Sequence, residues 1–349
     1  MERSVILFIL FFSFLNTRSQ DGEDVLLTLS LDSVFSKIKE NEPGANIYIQ
    51  KGHRLMYSKS FGLTNLKTKA KFDENTLINI SSITKTFIAY SILILQKQGQ
   101  LSIEDSISKF FPGINNKEEL NKLKIKHLLS HTSGLPVVRT SKLSFTDFID
   151  KPEFEPGSNY RDSEQDYNIL AVIIEYVGKG DWQTFIQQNI FSPTGMLNAK
   201  FVNENNTDDE ITGAYRKEKN IYKIVKHHIC NEKLPACNSI WTSIGNLRKY
   251  AYAIKECVFL DCETLKPAMK IYKPENWRAL RIPTQGFAWT IHEEKNKDTF
   301  MECEGLSPGY KCQIVMYPKQ DILVIWLSNN DVSYSNVILQ KLIQRKYIK

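Results

Sequence analysis

The sequence predicts a mixed α/β fold of the α+β type. In it, an antiparallel sheet is flanked by helices from the N- and C-terminal ends of the chain, and a mainly helical region is inserted between its strands. Two strand-like runs follow an N-terminal helical pattern, and four more lie close together near the C-terminus. The composition, with 42% hydrophobic and 24% charged residues over 349 positions, is that of a folded protein with a sizeable core. It excludes disordered, collagen-like and coiled-coil classes.

The N-terminal part of the folded chain predicts one helix and one hairpin. Leu26 to Lys39 has apolar residues at helical spacing. Ala45 to Lys51 and Leu55 to Gly62 alternate between apolar and polar residues, as strands do, and Gly52-His53 forms the turn between them.

Three helices are predicted in the middle of the chain. Ser82 to Gln98 is apolar almost all round, which indicates burial on most sides, and Gly99 is a plausible C-terminal stop. Ser163 to Gly178 carries its apolar residues on one face, and Ser243 to Ala253 follows Thr242 as the expected N-cap.

The C-terminal part changes to the period of a strand. Four runs separated by turn residues predict an antiparallel meander: Phe287 to His292, Thr299 to Cys303, Tyr310 to Met316 and Ile322 to Leu327. A final amphipathic helix, Ser335 to Ile348, is expected to cover one face of the sheet.

Residues 1–20 are interpreted as a secretory signal peptide. Arg3 supplies a positive start, and the apolar run from Val5 to Leu15 is too short to span a bilayer as a helix. We therefore expect an exported protein, periplasmic or secreted, with no stable membrane insertion after signal cleavage. The net charge of +6 is mild and its lysines are scattered among acids, so we expect no nucleic-acid partner.

All six cysteines lie at or beyond residue 230, and their even number in an exported chain permits disulfides. Pairing by proximity (230–237, 257–262 and 303–312) is one of fifteen possibilities. For Cys303 and Cys312 we expect a bond, because a hairpin that turns at Ser307-Pro308 would set them opposite each other. No cysteine or histidine spacing matches a zinc site, so we expect neither metal nor cofactor.

The sharpest chemical signal is the Ser-x-x-Lys pattern of Ser82 and Lys85. Residues at i and i+3 of a helix share a face, so the hydroxyl and the ammonium can meet at the start of the 82–98 helix. A lysine in apolar surroundings is more readily deprotonated and can then take the proton of a serine nucleophile. The alternative is structural: an N-cap serine beside a lysine that reaches to solvent.

The surrounding segments resemble the serine β-lactamase and penicillin-binding-protein superfamily, in the branch of class C β-lactamases, DD-carboxypeptidases and related esterases. Thr76 to Ala89 is similar to the active-serine segment of that branch, and His127 to Pro136 is a second distinctive segment. Further matches follow in the expected order: Pro156-Gly157, Pro193 to Met196, Trp241 to Ser243 and Pro308 to Tyr310. The resemblance implies a sheet part formed by residues 21–70 and 205–349, a helical part formed by residues 71–204, and an active serine, Ser82, at their junction.

Two of the three motifs of that superfamily are altered in this chain. Where the family has Tyr-x-Asn, alignment on Pro156-Gly157 places Asp162, Ser163 and Glu164. Where the family has Lys/His-Thr-Gly, the chain has the pocket-lining residues Cys303, Glu304 and Gly305, so the cation that helps to recognise a substrate carboxylate is missing. The resemblance also implies that the backbone N–H groups of Ser82 and Leu306 form the oxyanion hole.

Asp162 admits two interpretations that the sequence does not separate. It forms an ion pair that keeps Lys85 protonated and the protein inactive, or it takes or relays the proton itself as the third catalytic member. Glu164 and Glu304 near the pocket would repel anionic substrates, which favours neutral or cationic esters and amides.

The sequence thus predicts a cofactor-independent serine hydrolase, of esterase, amidase or peptidase type, that forms an acyl-enzyme on Ser82. The substrate is a small-molecule ester or amide or a peptide, and we expect a monomer. The competing hypothesis is a catalytically impaired member that uses its cleft for binding. The histidines His127 and His131 are spaced i, i+4, but a structural capping role is favoured over a shared metal.

Overall fold

The computed structural model describes residues 22, 24–113, 117–136, 152–202, 212–219, 221–225, 240–280, 283–293, 299–344 and 347–348. The predicted signal peptide lies outside these residues, as do Cys230 and Cys237. Within them, no helix is long and apolar enough to cross a membrane.

The central element is a six-stranded antiparallel sheet built from both ends of the chain, as predicted. Its strands are β1 (Ala45–Lys51), β2 (Arg54–Phe61), β10 (Thr290–Glu293), β11 (Thr299–Ser307), β12 (Tyr310–Tyr317) and β13 (Ile322–Ser328). Their order is β10-β11-β12-β13-β1-β2, so the C-terminal meander continues into the N-terminal hairpin through the pairing of β13 with β1.

The other strands are short and form three small sheets. These strands are β3 (Leu63–Asn65), β4 (Ala70–Lys71), β5 (Ile78–Asn79), β6 (Lys200–Phe201), β7 (Tyr215–Glu218), β8 (Ile221–Ile224) and β9 (Ile240–Thr242). The small sheets are β3-β4, β5-β9-β6 and β7-β8. The strands β5, β9 and β6 form a small sheet that leads directly to the segment containing Ser82.

Ten α-helices lie within the described ranges. They are α1 (24–35), α2 (Thr84–Lys97), α3 (Lys117–Lys122), α4 (Ile125–Leu129), α5 (Glu164–Gly178), α6 (Trp182–Ile186), α7 (Ser192–Thr194), α8 (Ile244–Lys255), α9 (Cys262–Ala268) and α10 (Ser335–Gln344). Short 3₁₀ helices cover Ser81–Ile83 and Ile107–Lys109, and a π-helical turn covers Gln187–Phe191.

Each face of the sheet has its own hydrophobic core. On one face, α1 and α10 pack through residues such as Leu31 and Leu342 against Trp326 of β13, which confirms the predicted covering helices. On the other face, α2 lies in the larger core, and every residue from Thr84 to Leu95 is buried. The helix that follows the candidate serine is therefore held on all sides, as its sequence predicts.

Two helix ends refine the predictions. Gly99 adopts a φ of 71° just beyond α2, a backbone conformation that glycine adopts without steric cost. The N-cap of α8 is Ser243 and not Thr242, since the Ser243 side chain accepts a hydrogen bond from the backbone N–H of Asn246.

The turn between β11 and β12 lies one residue later in the chain than the predicted turn at Ser307-Pro308. Ser307 pairs with Tyr310, so the turn consists of Pro308 and Gly309, and Gly309 has a φ of 78°. Proline followed by a glycine with positive φ is typical of a type II turn.

This register contradicts the predicted Cys303–Cys312 disulfide. Cys303 pairs with Ile314, and Cys312 pairs with Gly305. Both cysteines are free and buried, and they lie diagonally rather than directly opposite. A disulfide does join Cys257 and Cys262, one of the pairs that proximity suggested.

Candidate active site

Ser82 and Lys85 lie at the N-terminal end of α2, but in two different kinds of helix. Ser82 is in the 3₁₀ turn Ser81–Ile83 and is partly exposed between two buried neighbours. Lys85 is the second residue of α2 and is 8% exposed. Ser82 is thus partly open to solvent, while the Lys85 side chain is almost entirely surrounded by protein.

The 3₁₀ turn is fixed by contacts with strands β5 and β11. The backbone N–H of Ser81 donates to Oδ1 of Asn79 at 2.8 Å, and the Ser81 hydroxyl donates to the carbonyl oxygen of Leu306 at 2.9 Å. Ser81 adopts a φ of 49°, so the chain turns sharply just before Ser82. These bonds set the position of Ser82 relative to the edge of β11.

Gly305 is the residue that lets β11 approach this turn. A Cβ atom at Gly305 would lie 2.1 Å from the carbonyl oxygen of Ile80, which is closer than two nonbonded atoms can approach. The absence of a side chain at Gly305 therefore allows the backbones of β11 and Ile80 to lie this close.

Cys303 and Glu304 lie on opposite faces of β11. The Cys303 sulfur faces the site, 4.0 Å from the carbonyl oxygen of Ser82. Burial raises the pKa of the Cys303 thiol to about 12, so the group stays protonated and unreactive at neutral pH. Glu304 alternates to the other face, where its partner across the ladder is Gln313. The structure therefore does not bring the Glu304 side chain to the Ser82 side of the sheet.

Asp162 approaches Lys85 from the segment that precedes α5. Its Oδ1 lies 3.0 Å from Nζ of Lys85, and the Asp162 side chain is 65% exposed whereas that of Lys85 is 10% exposed. The two residues predicted to be neighbours are thus in contact.

His131 is a member of the cluster that the sequence analysis did not place there. Helix α4 ends at Leu129, and His131 adopts a φ of 56°, which takes it off the helix face that it would share with His127. Its Nε2 lies 3.3 Å from Oδ1 of Asp162, the same oxygen that contacts Lys85. The turn residues Ser133 and Gly134 were the available sign that the helix stops before His131.

His127, in contrast, has the predicted structural role. Its Nδ1 accepts a hydrogen bond from the backbone N–H of Lys124 at 3.2 Å, at the start of α4. Burial, assisted by Lys126 and Lys124, lowers the pKa of His127 to about 4, so its ring is neutral at pH 7.

A second carboxylate, Asp166, supports His131 from within the core. Asp166 is completely buried, its Oδ2 lies 3.3 Å from Nδ1 of His131, and its Oδ1 accepts a hydrogen bond from the Ser133 hydroxyl at 2.6 Å. Burial raises the pKa of Asp166, although the contacts with His131 and Ser133 act against that rise. The backbone N–H of Ser163 also points at Nδ1 of His131, at 3.3 Å.

The electrostatic balance at Asp162 favours the carboxylate. Burial acts to raise its pKa, but the fields of His131 and Lys85 outweigh burial and hold the pKa of Asp162 below its usual range. Asp162 is therefore ionised at neutral pH, with one oxygen shared by a lysine and a histidine.

The remaining predicted pocket residues lie beside Asp162. Ser163 is buried, and its hydroxyl donates to Oε1 of Gln165 at 3.2 Å. Glu164 is exposed in the first turn of α5. Among the described residues, no group of three or more histidine, cysteine or acidic side chains is arranged to hold a metal ion.

Fold and site together define the class. The Beta-lactamase family model matches residues 31–345, and the chain therefore belongs to that family, within the superfamily of serine β-lactamases and penicillin-binding proteins. This confirms the resemblance drawn from the motifs, and it makes the chain a member of a serine hydrolase family.

Individual relatives agree with that assignment. Penicillin-binding protein 4* of Bacillus subtilis strain 168 is 24% identical over 342 residues, which cover 89% of this chain and 74% of the relative. An octameric penicillin-binding protein homologue from Pyrococcus abyssi superposes with a TM-score of 0.74 at 23% identity, over 89% of this chain and 76% of its own. A class C β-lactamase superposes with a TM-score of 0.76 at 18% identity, over 91% and 96% of the two chains.

Proposed function

We propose that the protein is an exported serine hydrolase that forms an acyl-enzyme on Ser82 and acts on neutral esters or amides. The observation that carries the proposal is the cluster in which one oxygen of Asp162 contacts both Lys85 and His131, with the partly exposed Ser82 three residues before Lys85. A nucleophilic serine needs a base within reach, and this cluster supplies a route for its proton.

In the proposed acylation step, the Lys85 ammonium first gives a proton to Oδ1 of Asp162, 3.0 Å away. The neutral amine then takes the proton of Ser82 while Ser82 Oγ bonds to the carbonyl carbon of the substrate, so the net transfer is from Ser82 to Asp162. When the tetrahedral intermediate collapses, the proton returns by the same route to the leaving alcohol or amine. Water repeats the sequence at the acyl-enzyme and restores Ser82.

The developing oxyanion is expected between the backbone N–H groups of Ser82 and Leu306. The N–H and C=O of one strand residue point to the same side of the strand. Because the Leu306 carbonyl accepts from Ser81, we infer that the Leu306 N–H also points toward the 3₁₀ turn. Preorganised donors of this kind contribute about 10²–10³-fold to acyl transfer.

The preference for neutral substrates rests on Cys303 and Glu164. Cys303 occupies the place of the family cation, and its protonated thiol carries no charge that would pair with a substrate carboxylate. Glu164 places an exposed carboxylate close to Asp162 along the chain. A neutral or cationic substrate needs no cation to pair with and is not repelled by the Glu164 carboxylate.

Export is supported by the predicted signal peptide and by the Cys257–Cys262 disulfide, since such bonds persist in oxidising compartments. A monomer remains our expectation. A catalytically impaired protein that uses the cleft for binding is favoured by one observation, the direct Lys85–Asp162 ion pair, which would hold Lys85 protonated.

Hydrolysis of two chromogenic esters tests the proposal. The wild-type chain should hydrolyse p-nitrophenyl butyrate and should prefer it over a p-nitrophenyl monoester that carries a free carboxylate. Ser82→Ala should reduce the rate to that of the uncatalysed reaction, because the nucleophile is gone. A wild-type rate equal to that of Ser82→Ala would favour the binding role instead.

A further inference from the structure

A cavity of about 340 Å³ lies between helices α8 and α9 and the central sheet, and Ser82 does not line it. Those two helices form one wall, and strands β11, β12 and β13 form the other. None of the residues assigned to the candidate active site lines it.

The inner surface of this cavity is mostly apolar and is rich in methionine. Met269, Met301 and Met316 line it together with Leu323 and Ala251. Methionine side chains are flexible and polarisable, so they adapt to ligands of different shape. Such a surface suits a flexible alkyl chain.

The rim of the cavity, in contrast, is strongly basic. It carries Arg248, Lys255, Lys266 and Lys270 against a single acid, Asp321. The four cations are contributed by α8, by α9 and by the residues just after α9.

Not all of these cations are equally available to a ligand. Lys255 is 2.7 Å from Oδ1 of Asp321, so its charge is already paired. Lys266 and Lys270 are exposed and four residues apart, and within the described ranges neither forms an ion pair. Arg248 is engaged with Tyr48, its guanidinium lying 5.5 Å from the ring centroid, which leaves Lys266 and Lys270 as the rim cations most available to a ligand.

The disulfide fixes the wall that carries the cations. Cys257 lies just beyond α8 and Cys262 is the first residue of α9, so the bond ties the end of one helix to the start of the next. The bond thereby restricts the position of α9 relative to α8, and a preorganised wall lowers the ordering cost of binding.

We propose that this cavity binds a free single-chain amphiphile with an anionic head, of the class of medium-chain fatty carboxylates. The alkyl chain lies on the methionine surface and the carboxylate pairs with Lys266 and Lys270. The volume is at the lower end of the roughly 300–1,000 Å³ range of ligand pockets, which suits a medium-length chain. The proposal does not depend on hydrolase activity, because it uses none of the residues around Ser82.

Isothermal titration calorimetry with decanoate tests the proposal on the full folded chain. Decanoate should bind at one saturable site, and octanoate should bind roughly tenfold more weakly because two methylenes are lost. Decanol should bind more weakly than decanoate, and the difference should shrink as salt is raised. Absence of saturable decanoate binding below about 1 mM, or equal affinity for decanoate and decanol, would overturn it.

Charge reversal at the rim locates the site. The exposed substitutions Lys266→Glu and Lys270→Glu together should weaken decanoate binding at least tenfold and leave decanol binding unchanged, since only the head-group contact is lost. Lys67→Glu, an exposed lysine outside the cavity, serves as the matched control and should leave decanoate binding unchanged. Equal affinity in the double variant and the control would contradict the site. Binding to anionic phosphatidylglycerol vesicles without saturable decanoate binding would also contradict it and indicate a membrane surface instead.

Discussion

At the residue scale, the contacts of Asp162 bear most directly on the proposed activity. One carboxylate oxygen faces both Lys85 at 3.0 Å and His131 at 3.3 Å, and the pKa of Asp162 lies below its usual range although burial acts against this. In the proposed mechanism this carboxylate accepts the serine proton, and in the alternative it forms an ion pair that keeps Lys85 protonated.

The first prediction concerns Asp162→Asn. If Asp162 receives the proton, this isosteric change should lower the turnover of p-nitrophenyl butyrate by roughly 10²-fold, the usual scale for loss of a general base. Glu164→Gln removes a nearby exposed carboxylate and is the matched control, with turnover expected to change less than about threefold. Restored or raised turnover in Asp162→Tyr would instead identify Asp162 as an inhibitory ion-pair partner.

A second prediction at this scale uses the neutral ring of His127. Its pKa falls from an ordinary 6.5 to about 4 in the folded protein, so only the unfolded chain takes up a proton between these values. The contribution of the neutral His127 ring to the free energy of unfolding is therefore present above pH 6.5 and is lost as pH falls from 6.5 toward 4. Between pH 7 and pH 5 the free energy of unfolding should therefore fall by about 2 kcal/mol through this group.

Urea unfolding of the wild type and His127→Gln at both pH values measures this effect. The variant should lose that part of the pH dependence, whereas His53→Gln, at an exposed histidine, should keep it. The same pH dependence in all three proteins would show that His127 is not the group responsible.

At the element scale, the contact between β11 and the 3₁₀ turn positions Ser82, the proposed nucleophile. It is made at Gly305, where a Cβ would meet the carbonyl oxygen of Ile80, and by the hydrogen bond from Ser81 to Leu306. Any side chain at Gly305 must push the strand away from the turn, and the proposed oxyanion donors would move apart.

The third prediction is therefore that Gly305→Ala impairs both stability and turnover. Overpacking at this contact should cost about 1–3 kcal/mol in the free energy of unfolding, and ester turnover should fall further than the folded fraction alone explains. Gly180→Ala is the matched control, because a Cβ at Gly180 would meet nothing within 4 Å. Unchanged turnover in folded Gly305→Ala would contradict the positioning role of β11.

At the scale of the whole molecule, the sequence predicts what depends on periodicity and local chemistry. The alternating apolar and polar residues of Ala45–Lys51 predict both ends of β1 correctly. The apolar run after Ser82 predicts a buried helix, and that helix is buried from Thr84 to Leu95. The family motifs then join these elements into one architecture, which the comparisons confirm.

The sequence does not predict features that depend on register or on a single backbone angle. The alternation of apolar and polar residues along β11 indicates which face of the sheet Cys303 occupies. Its partner on β12, however, depends on the position of the turn at Pro308-Gly309. Because the turn lies one residue later than predicted, Cys303 is opposite Ile314 and not Cys312. In the same way, the positive φ of His131 moves its ring from the α4 face to Asp162. The division into a sheet part and a helical part remains a prediction.

The measurement that tests the central claim most directly is intact-mass spectrometry after treatment with a fluorophosphonate, across pH 6–9. The account predicts one covalent adduct on the wild-type chain, retained in Ser81→Ala and lost in Ser82→Ala, since Ser81 is occupied by its bond to Leu306 whereas Ser82 is the nucleophile. Absence of any adduct, or an adduct that persists in Ser82→Ala, would contradict it.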